Sequence, residues 1–181
     1  IIRTQNTTAT PFASDKTWAG SGILNMNATS TAQTLVGGTY NNLTLSSTAG
    51  TTAVANVTVN GKLDLPAANA SATKGSLDMA AFTLTMGPDG TNTGIGDVTG
   101  IIKRDFFAPN KTYTFGHPNS SITFPPAGTL PTSMSAKLTI GAAPSWRAGA
   151  IQRQFDIIQT GGISTKAIIR QHYLDSELNG N

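Results

Sequence analysis

The sequence predicts an all-β protein: a short right-handed β-solenoid with a rung of about 20–21 residues, followed by a small antiparallel β-sandwich or capping sheet. Three observations lead to this prediction. The composition disfavours helices, the first half repeats a strand pattern, and the repeat stops near Ile101. The predicted domains are residues 1–100 for the solenoid and 101–181 for the sandwich or cap.

The composition argues against long surface helices. Charged residues make up only 12% of the 181 residues, about half the usual share, and Glu177 is the single glutamate. Thr, Ser, Asn and Gly together contribute 74 residues. Helix surfaces are normally built from Ala, Leu, Glu, Lys, Gln and Arg, so a surface rich in Thr, Ser and Asn indicates strands.

Charge and cysteine content exclude several classes of function. The net charge of +3 is small, and the basic pair Lys103-Arg104 is followed by Asp105, so no nucleic-acid partner is expected. There is no stretch of about 18 apolar residues, so no membrane span is predicted. The absence of cysteine excludes a disulfide scaffold, a cysteine-ligated metal and a thiol nucleophile. The chain begins with Ile1 rather than Met, which predicts a removed leader or a piece of a longer protein.

A short alternation of polar and apolar residues recurs through the first half. It occupies residues 42–45, 56–59, 62–65, 76–79 and 83–86, and more weakly 97–100. Alternation with a period of two is typical of strands with one buried face. The starting positions form two series, 42, 62, 83 and 56, 76, 97, each with steps of 20 and 21 residues. A constant step of this size favours a solenoid, whereas the strands of a β-sandwich recur every 8–12 residues.

The same steps predict which side chains stack from rung to rung. The expected inward columns are Leu43, Leu63, Leu84 and Leu45, Leu65, Met86. The expected outward columns are Thr44, Asp64, Thr85 and Thr58, Asp78. An earlier rung is expected at 24–26, because Leu24-Asn25-Met26 resembles Leu43-Thr44-Leu45.

The second half has longer and more varied strand candidates. They span 101–107, 112–116, 120–124, 135–140, 150–159 and 166–173, separated by Pro and Gly. Residues 1–100 carry four basic and five acidic side chains, a net −1, whereas residues 101–181 carry eight and four, a net +4. This half is expected to form a small sandwich or to cover the open end of the solenoid. The hairpin-turn signal Asn179-Gly180 leaves a missing return strand and a frayed terminus as alternatives.

Several segments carry a resemblance to known proteins. The stretches 38–45 (GTYNNLTL) and 57–65 (VTVNGKLDL) resemble bacterial exported proteins with filamentous-haemagglutinin-like or adhesin-like β-solenoid repeats. The stretches 113–116 (YTFG), 128–133 (GTLPTS) and 172–178 (HYLDSEL) resemble a segment of large bacterial cell-surface proteins. The resemblance implies export and an architectural role, and it brings no catalytic residues with it.

No catalytic, cofactor-binding or metal-binding residues are predicted. Asp64 and Asp78 are the only acids in the regular rungs, and they belong to different series, whereas glycoside hydrolysis needs two carboxylates at one site. The loop from Asp89 through Asn92 to Asp97 is rich in oxygen and glycine, but its spacing matches no standard calcium loop, so turn chemistry is favoured.

The histidines and tryptophans receive structural interpretations. His117 and His172 lack metal-type spacing and are interpreted as a turn residue and a strand residue. An exposed Trp18 or Trp146 could stack on sugar, but a Trp at the end of a core is the commoner arrangement.

The expected function is that of a non-catalytic, secreted or cell-surface structural or adhesive protein of a bacterium. Head-to-tail self-association into a filament is a further expectation, as is contact with a surface polysaccharide. The alternatives are a carbohydrate-active β-helix enzyme, which clustered acids would indicate, and a carbohydrate-binding module, which an exposed aromatic row would indicate.

Overall fold

The structure is a computed structural model that describes residues 1–180. These residues form fifteen strands and one 3-10 turn. The strands are β1 (Ile2–Thr4), β2 (Lys16–Met26), β3 (Gln33–Leu35), β4 (Gly38–Leu45), β5 (Thr51–Ala53), β6 (Val57–Val59), β7 (Lys62–Leu65), β8 (Leu77–Met86), β9 (Thr91–Gly94), β10 (Val98–Arg104), β11 (Thr112–His117), β12 (Ser120–Thr123), β13 (Ser133–Ile140), β14 (Arg153–Thr160) and β15 (Ile168–Arg170). The 3-10 turn spans Asp175–Glu177.

Parallel strand pairing winds the chain into a β-solenoid with three faces. On the first face, the start of β2 is followed by the start of β4, then β6, the end of β8 and the end of β10. On the second face, β1 is followed by the end of β2, the end of β4, β7 and β9. The third face consists of β3, β5 and the starts of β8 and β10. The predicted solenoid is therefore confirmed, with five stacked segments on its first face.

The longest solenoid strands turn a corner and so contribute to two faces each. Backbone φ angles in the left-handed region mark these corners at Gly20 in β2 (80°), Ala80 in β8 (49°) and Gly100 in β10 (92°). Glycine reaches such angles without steric cost, and an irregularity of this kind bends a strand. The local sequence thereby allows a single strand to leave one sheet face and enter the next.

Inward side chains from the three faces fill one continuous core. Alternation sends every second residue inward, and the buried members are mostly leucine, valine and methionine. Tyr40, Val59 and Met86 succeed one another on the first face, and Leu24, Leu43 and Leu63 on the second. Each fully buried side chain of this type contributes roughly 1.5–3 kcal/mol to folding, so these columns are the main source of stability.

Only part of the predicted stacking is correct. Leu24 pairs with Leu43, and Leu43 pairs with Leu63, as expected. Leu63 then pairs with Asn92, 29 positions later, and not with Leu84. The rung is longer here because residues 66–75 form an irregular loop between β7 and β8.

The remaining predicted columns mix different faces. Leu84 pairs with Val57 and Ile102 on the first face, where Met86 also lies. Thr85 pairs with Thr58 rather than with Asp64. Asp78 pairs with Thr52 and Thr99 on the third face and does not follow Thr58. Strands on all three faces show the same alternation of polar and apolar residues. A step of about 20 residues therefore does not tell whether the chain has returned to the same face or has reached the next face.

Engineered disulfides test this register, because the chain has no cysteine of its own. We expect Thr58→Cys combined with Thr85→Cys to form a disulfide on mild oxidation, since these outward residues are direct partners on neighbouring parallel strands about 4.8 Å apart. Asp64→Cys with Thr85→Cys, the neighbouring pair expected from the sequence steps, is predicted not to form one, because Thr85 lies beside Thr58 on another face. Peptide mapping of the oxidised variants by mass spectrometry distinguishes the two registers.

The second half covers one end of the solenoid. β13 pairs antiparallel with β10, and β14 with β13, so the first face continues into the second half. β11, β12 and β15 form a separate antiparallel sheet. Asn92 N–H donates to Thr114 Oγ1 and Gly116 N–H donates to Asn92 Oδ1, each at 3.2 Å, which joins β11 to the last rung. This arrangement confirms the capping sheet, and the expected domain limit between 100 and 101 falls inside β10.

Arg104 ends the inward column of the first face beneath this cap. Its neighbour Lys103 pairs with Thr85, which places Arg104 at the position next to Met86. The buried guanidinium donates hydrogen bonds to the carbonyl oxygens of Gly87, Gly90 and Thr114, at 2.9, 2.7 and 3.0 Å. Burial lowers the pKa of Arg104 to about 10, so the side chain remains charged at neutral pH. The core therefore ends in a cation held by backbone carbonyls.

Candidate functional site

The two acids of the regular rungs lie on different faces, as their series indicate. Asp64 is on the second face and accepts a hydrogen bond from Thr93 Oγ1 at 2.6 Å. Asp78 is on the third face and forms an ion pair with Lys74 at 3.0 Å. Hydrogen bonds and the ion pair with Lys74 lower the pKa of Asp78, although burial alone would raise it. Two carboxylates held on separate faces of the solenoid do not form the paired site that glycoside hydrolysis requires.

The candidate calcium loop does not converge on a common point. Asp89 is exposed and forms an ion pair with Lys111 at 2.6 Å. Asn92 is buried in β9 and binds the backbone of β11. Asp97 is buried and faces Arg153, in the second half of the chain. Each of the three side chains therefore has a different partner.

The structure brings together five polar residues that are far apart in the sequence, here called the buried polar cluster. They are Asp97 before β10, His117 at the end of β11, Arg153 at the start of β14, His172 after β15, and Glu177 in the 3-10 turn. The solenoid, both sheets of the second half and the C-terminal segment each contribute at least one member. The cluster therefore holds the cap, the last rung and the C-terminal segment together.

Arg153 is the centre of the buried polar cluster. Its Nη1 and Nη2 atoms donate to the two carboxylate oxygens of Asp97 at 3.1 and 2.8 Å. Its Nε and Nη2 atoms donate to Glu177 at 2.8 and 2.9 Å. The side chains of Arg153, Asp97 and Glu177 are only 2%, 9% and 8% exposed. Burial alone would lower the pKa of Arg153, but the hydrogen bonds and charges of its two partners raise it.

The two histidines form a stacked pair beside Asp97. Their rings are nearly parallel, at 4°, with centroids 3.8 Å apart. His117 Nδ1 accepts a hydrogen bond from the backbone N–H of Asn119 at 3.1 Å, which places the proton of the neutral ring on Nε2. Burial, together with the charges of His172 and Arg153, lowers the pKa of His117 to about 4, against an opposing effect of Asp97. His117 is therefore neutral at pH 7.

The geometry of this group does not suit a shared metal ion. Nitrogen or oxygen atoms of Asp97, His117 and His172 lie within 4.8 Å of one another, which is close enough to consider a cation. An imidazole nitrogen binds a metal in the plane of its ring, and two parallel planes separated by stacking have no common point. His117 Nδ1 is occupied, and both oxygens of Asp97 bind Arg153. The group is therefore better described as part of a structural cluster.

The titration of His117 predicts how the free energy of unfolding depends on pH. The pKa is near 6.5 in the unfolded chain and about 4 in the folded protein, so the unfolded chain binds more protons between these values. The neutral His117 therefore leaves stability unchanged above pH 6.5 and lowers it as the pH falls towards 4, by roughly 2 kcal/mol after allowing for water near the partly exposed His172. Urea unfolding at pH 7 and pH 4.5 measures the loss. The variant His117→Asn, whose amide oxygen can also accept from Asn119, is expected to show a smaller loss.

A cavity of about 340 Å³ lies above the buried polar cluster. One wall is the irregular loop 66–75 of the long rung, and the other is the C-terminal segment with Leu174 and Ser176. Arg153 and Glu177 lie at its base, where they are already bonded to each other. The volume suits a small molecule, but the charged groups that face it are satisfied within the protein.

The two tryptophans lie in different environments. Trp18 packs edge-on against Phe12, with ring centroids 5.9 Å apart, at the open end of the core. Trp146 is 80% exposed in the turn after β13. The interpretation of Trp18 as an end-of-core residue therefore agrees with its packing.

These observations define a capped β-solenoid with a buried ion-pair cluster where solenoid and cap meet. The sequence reasoning missed this cluster because its members are spread over the 80 positions between Asp97 and Glu177, and the spacing of the two histidines carries no metal or catalytic signature. Searches against protein-family models, curated proteins and solved structures gave no match. Within residues 1–180, none of the helical segments is long or apolar enough to cross a membrane.

Proposed function

We propose that this chain is a non-catalytic structural or adhesive protein of a bacterial surface, exported from the cell, and that copies join head to tail into a filament. One observation carries the proposal. The large sheet begins with β1 and ends with β14, and each of these strands pairs on one side only within the described chain. Unpaired strand edges are sites where a further strand adds.

The outer surface of the solenoid supports an architectural role. Thr17, Thr39, Thr58 and Thr85 follow one another outward along the first face. Threonine suits such positions because it is β-branched and its hydroxyl forms hydrogen bonds. A regular, weakly charged surface of this kind is suited to presentation and contact rather than to chemistry.

The arrangement of titratable groups favours a non-catalytic role over a carbohydrate-active enzyme. Asp64 and Asp78 lie on separate faces, each with its own partner. The carboxylates of Asp97 and Glu177 are bound by Arg153 and are nearly inaccessible to solvent. A general acid or base must reach the substrate, and these buried acids are not placed to do so.

Electron microscopy and analytical ultracentrifugation of the purified chain over a range of concentrations test the proposal. We expect elongated particles whose length and mass increase in steps of one copy. A monodisperse monomer at high concentration would contradict self-association. Turnover of a polysaccharide that is lost in Asp64→Asn or Asp78→Asn would favour the enzyme, and polysaccharide binding by a persistent monomer would favour a carbohydrate-binding module.

A further inference from the structure

The cap contains an open groove between its two sheets. β14 is the last strand of the large sheet and β15 is the last strand of the small sheet, and both have an unpaired edge in the described chain. The groove between them is lined by apolar side chains, among them Phe115, Ile122, Phe155, Ile157 and Ile169. Phe115 and Ile122 belong to the buried core, so the groove is a narrow cleft of about 10 Å³ that lies directly against the core.

Exposed isoleucines lie on both strands that border the groove. Ile169 lines the groove itself, whereas Ile158 alternates with the lining residue Ile157 and lies on the other face of β14. Ile158 on β14 is 64% exposed, and Ile168 and Ile169 on β15 are 56% and 48% exposed. Proteins normally protect edge strands with charges, prolines or a covering element. An extended strand from another molecule would provide both backbone hydrogen bonds for the edges and apolar side chains for the groove.

The opposite end of the sheet has a matching feature. Ile1 and Ile2 at β1 are 74% and 56% exposed. They lie beside a cavity of about 120 Å³ that is also lined by Trp18 and Leu24. The buried indole N–H of Trp18 has no hydrogen-bond partner in the described chain. A buried donor of this kind is expected to find an acceptor, which the backbone carbonyls of an added strand would supply.

The distribution of charge favours contact between the groove end of one copy and the β1 end of another. The half that contains the groove carries a net +4 and the solenoid half a net −1. Two grooves facing each other would bring two positive halves together, whereas a head-to-tail contact joins halves of opposite sign. Locally, the exposed Asp156 of β14 complements the exposed Arg3 of β1.

From these observations we infer that the β1 end of one copy, Ile1–Thr4, docks on the free edge of β14 and into the β14–β15 groove of the next copy. This inference rests on the proposed self-association and assigns the two surfaces that make it. The contact covers Ile1 and Ile2 of one copy and Ile158 and Ile169 of the next, on the two faces of the joined strands, and it continues the large sheet from copy to copy. A head-to-tail contact that does not close on itself generates a filament.

Single-cysteine variants test the contact, because no native cysteine competes. Arg3→Cys and Asp156→Cys proteins are mixed in equal amounts and oxidised mildly. We expect a disulfide dimer that contains one copy of each variant, identified by peptide mapping, and little dimer from either variant alone. Ala81→Cys, exposed in the middle of β8, is the matched control and should form about tenfold less mixed dimer with Asp156→Cys.

The other outcomes overturn the inference in distinguishable ways. A disulfide dimer formed by Asp156→Cys alone means that two grooves face each other. Particles that sediment as oligomers without any Arg3–Asp156 link keep the proposed self-association but place it on other surfaces. A chain that sediments as a monomer at every concentration contradicts both proposals.

A second pair of variants gives an independent readout. Ile169→Asp places a charge in the groove and Ile158→Asp places one on the other face of the β14 edge strand, on side chains that are already about half exposed or more. We expect each to weaken self-association at least about tenfold, while the circular dichroism spectrum and the unfolding midpoint stay close to those of the parent. Unchanged sedimentation of both folded variants would exclude the groove as the contact.

Discussion

Arg104→Met is expected to lower the free energy of unfolding by about 3 kcal/mol. Methionine fills most of the space but provides no donors, so carbonyl oxygens of Gly87, Gly90 and Thr114 lose their shared partner inside the protein. Each buried acceptor left unpaired costs roughly 1–3 kcal/mol. The Gly87 carbonyl also accepts a hydrogen bond from the Gly90 N–H, so this acceptor keeps one partner. The expected loss of stability is therefore near the low end of the combined cost of the three acceptors.

Arg104→Lys separates charge from geometry at the same position. Lysine retains the positive charge, but its single ammonium does not reproduce the planar fork of five donors. We expect an intermediate loss of stability, measured by urea unfolding followed by circular dichroism. The matched control is Lys103→Met, on the outward, half-exposed side of the same strand, where a surface ion pair with Asp105 is worth less than about 1 kcal/mol. Equal losses in Arg104→Met and Lys103→Met would show that the carbonyl contacts contribute nothing.

The general architecture was accessible from the sequence because it follows from local patterns. Alternation of side chains in segments such as 42–45 and 57–59 depends only on strand geometry, so it identified strands and their buried sides. The change of pattern near Ile101 likewise indicates a second, different part of the chain, although the strand that contains Ile101 still pairs with the solenoid. These features need no information about which strands are neighbours.

The register was only partly accessible, because it depends on the length of each rung. Leu24, Leu43 and Leu63 were correctly aligned, since no insertion separates them. The loop 66–75 then lengthens the third rung, and its Ala, Asn and Ser residues are as compatible with a tight turn as with a long loop. As a result Leu84 was placed one face away from its observed position beside Val57.

The candidate site was not accessible from the sequence, for a physical reason. A buried ion pair leaves no periodic signal, and Arg153 resembles any basic residue at the start of a strand. Its partners Asp97 and Glu177 are 56 and 24 positions away. In the sequence, the single glutamate, Glu177, indicates only low helix content, whereas in the structure it is one of the most deeply buried charges.

Arg153→Met is expected to destabilise the protein by about 3–5 kcal/mol, the second large effect that the structure predicts. Removing one partner of a buried ion pair leaves the other charge without compensation, and this costs much more than the pair itself contributes. Here two carboxylates, Asp97 and Glu177, would lose the cation that both of them bind. The matched control is Arg147→Met, in an exposed turn, which should change stability by less than about 0.5 kcal/mol.

A combined variant determines whether the loss arises from the uncompensated charge. Arg153→Met together with Asp97→Asn and Glu177→Gln removes all three charges while keeping similar shapes, and we expect it to regain about half of the stability lost in Arg153→Met alone. If the combined variant is as unstable as Arg153→Met, packing rather than charge accounts for the role of Arg153. The cluster would then join the cap to the solenoid through shape alone.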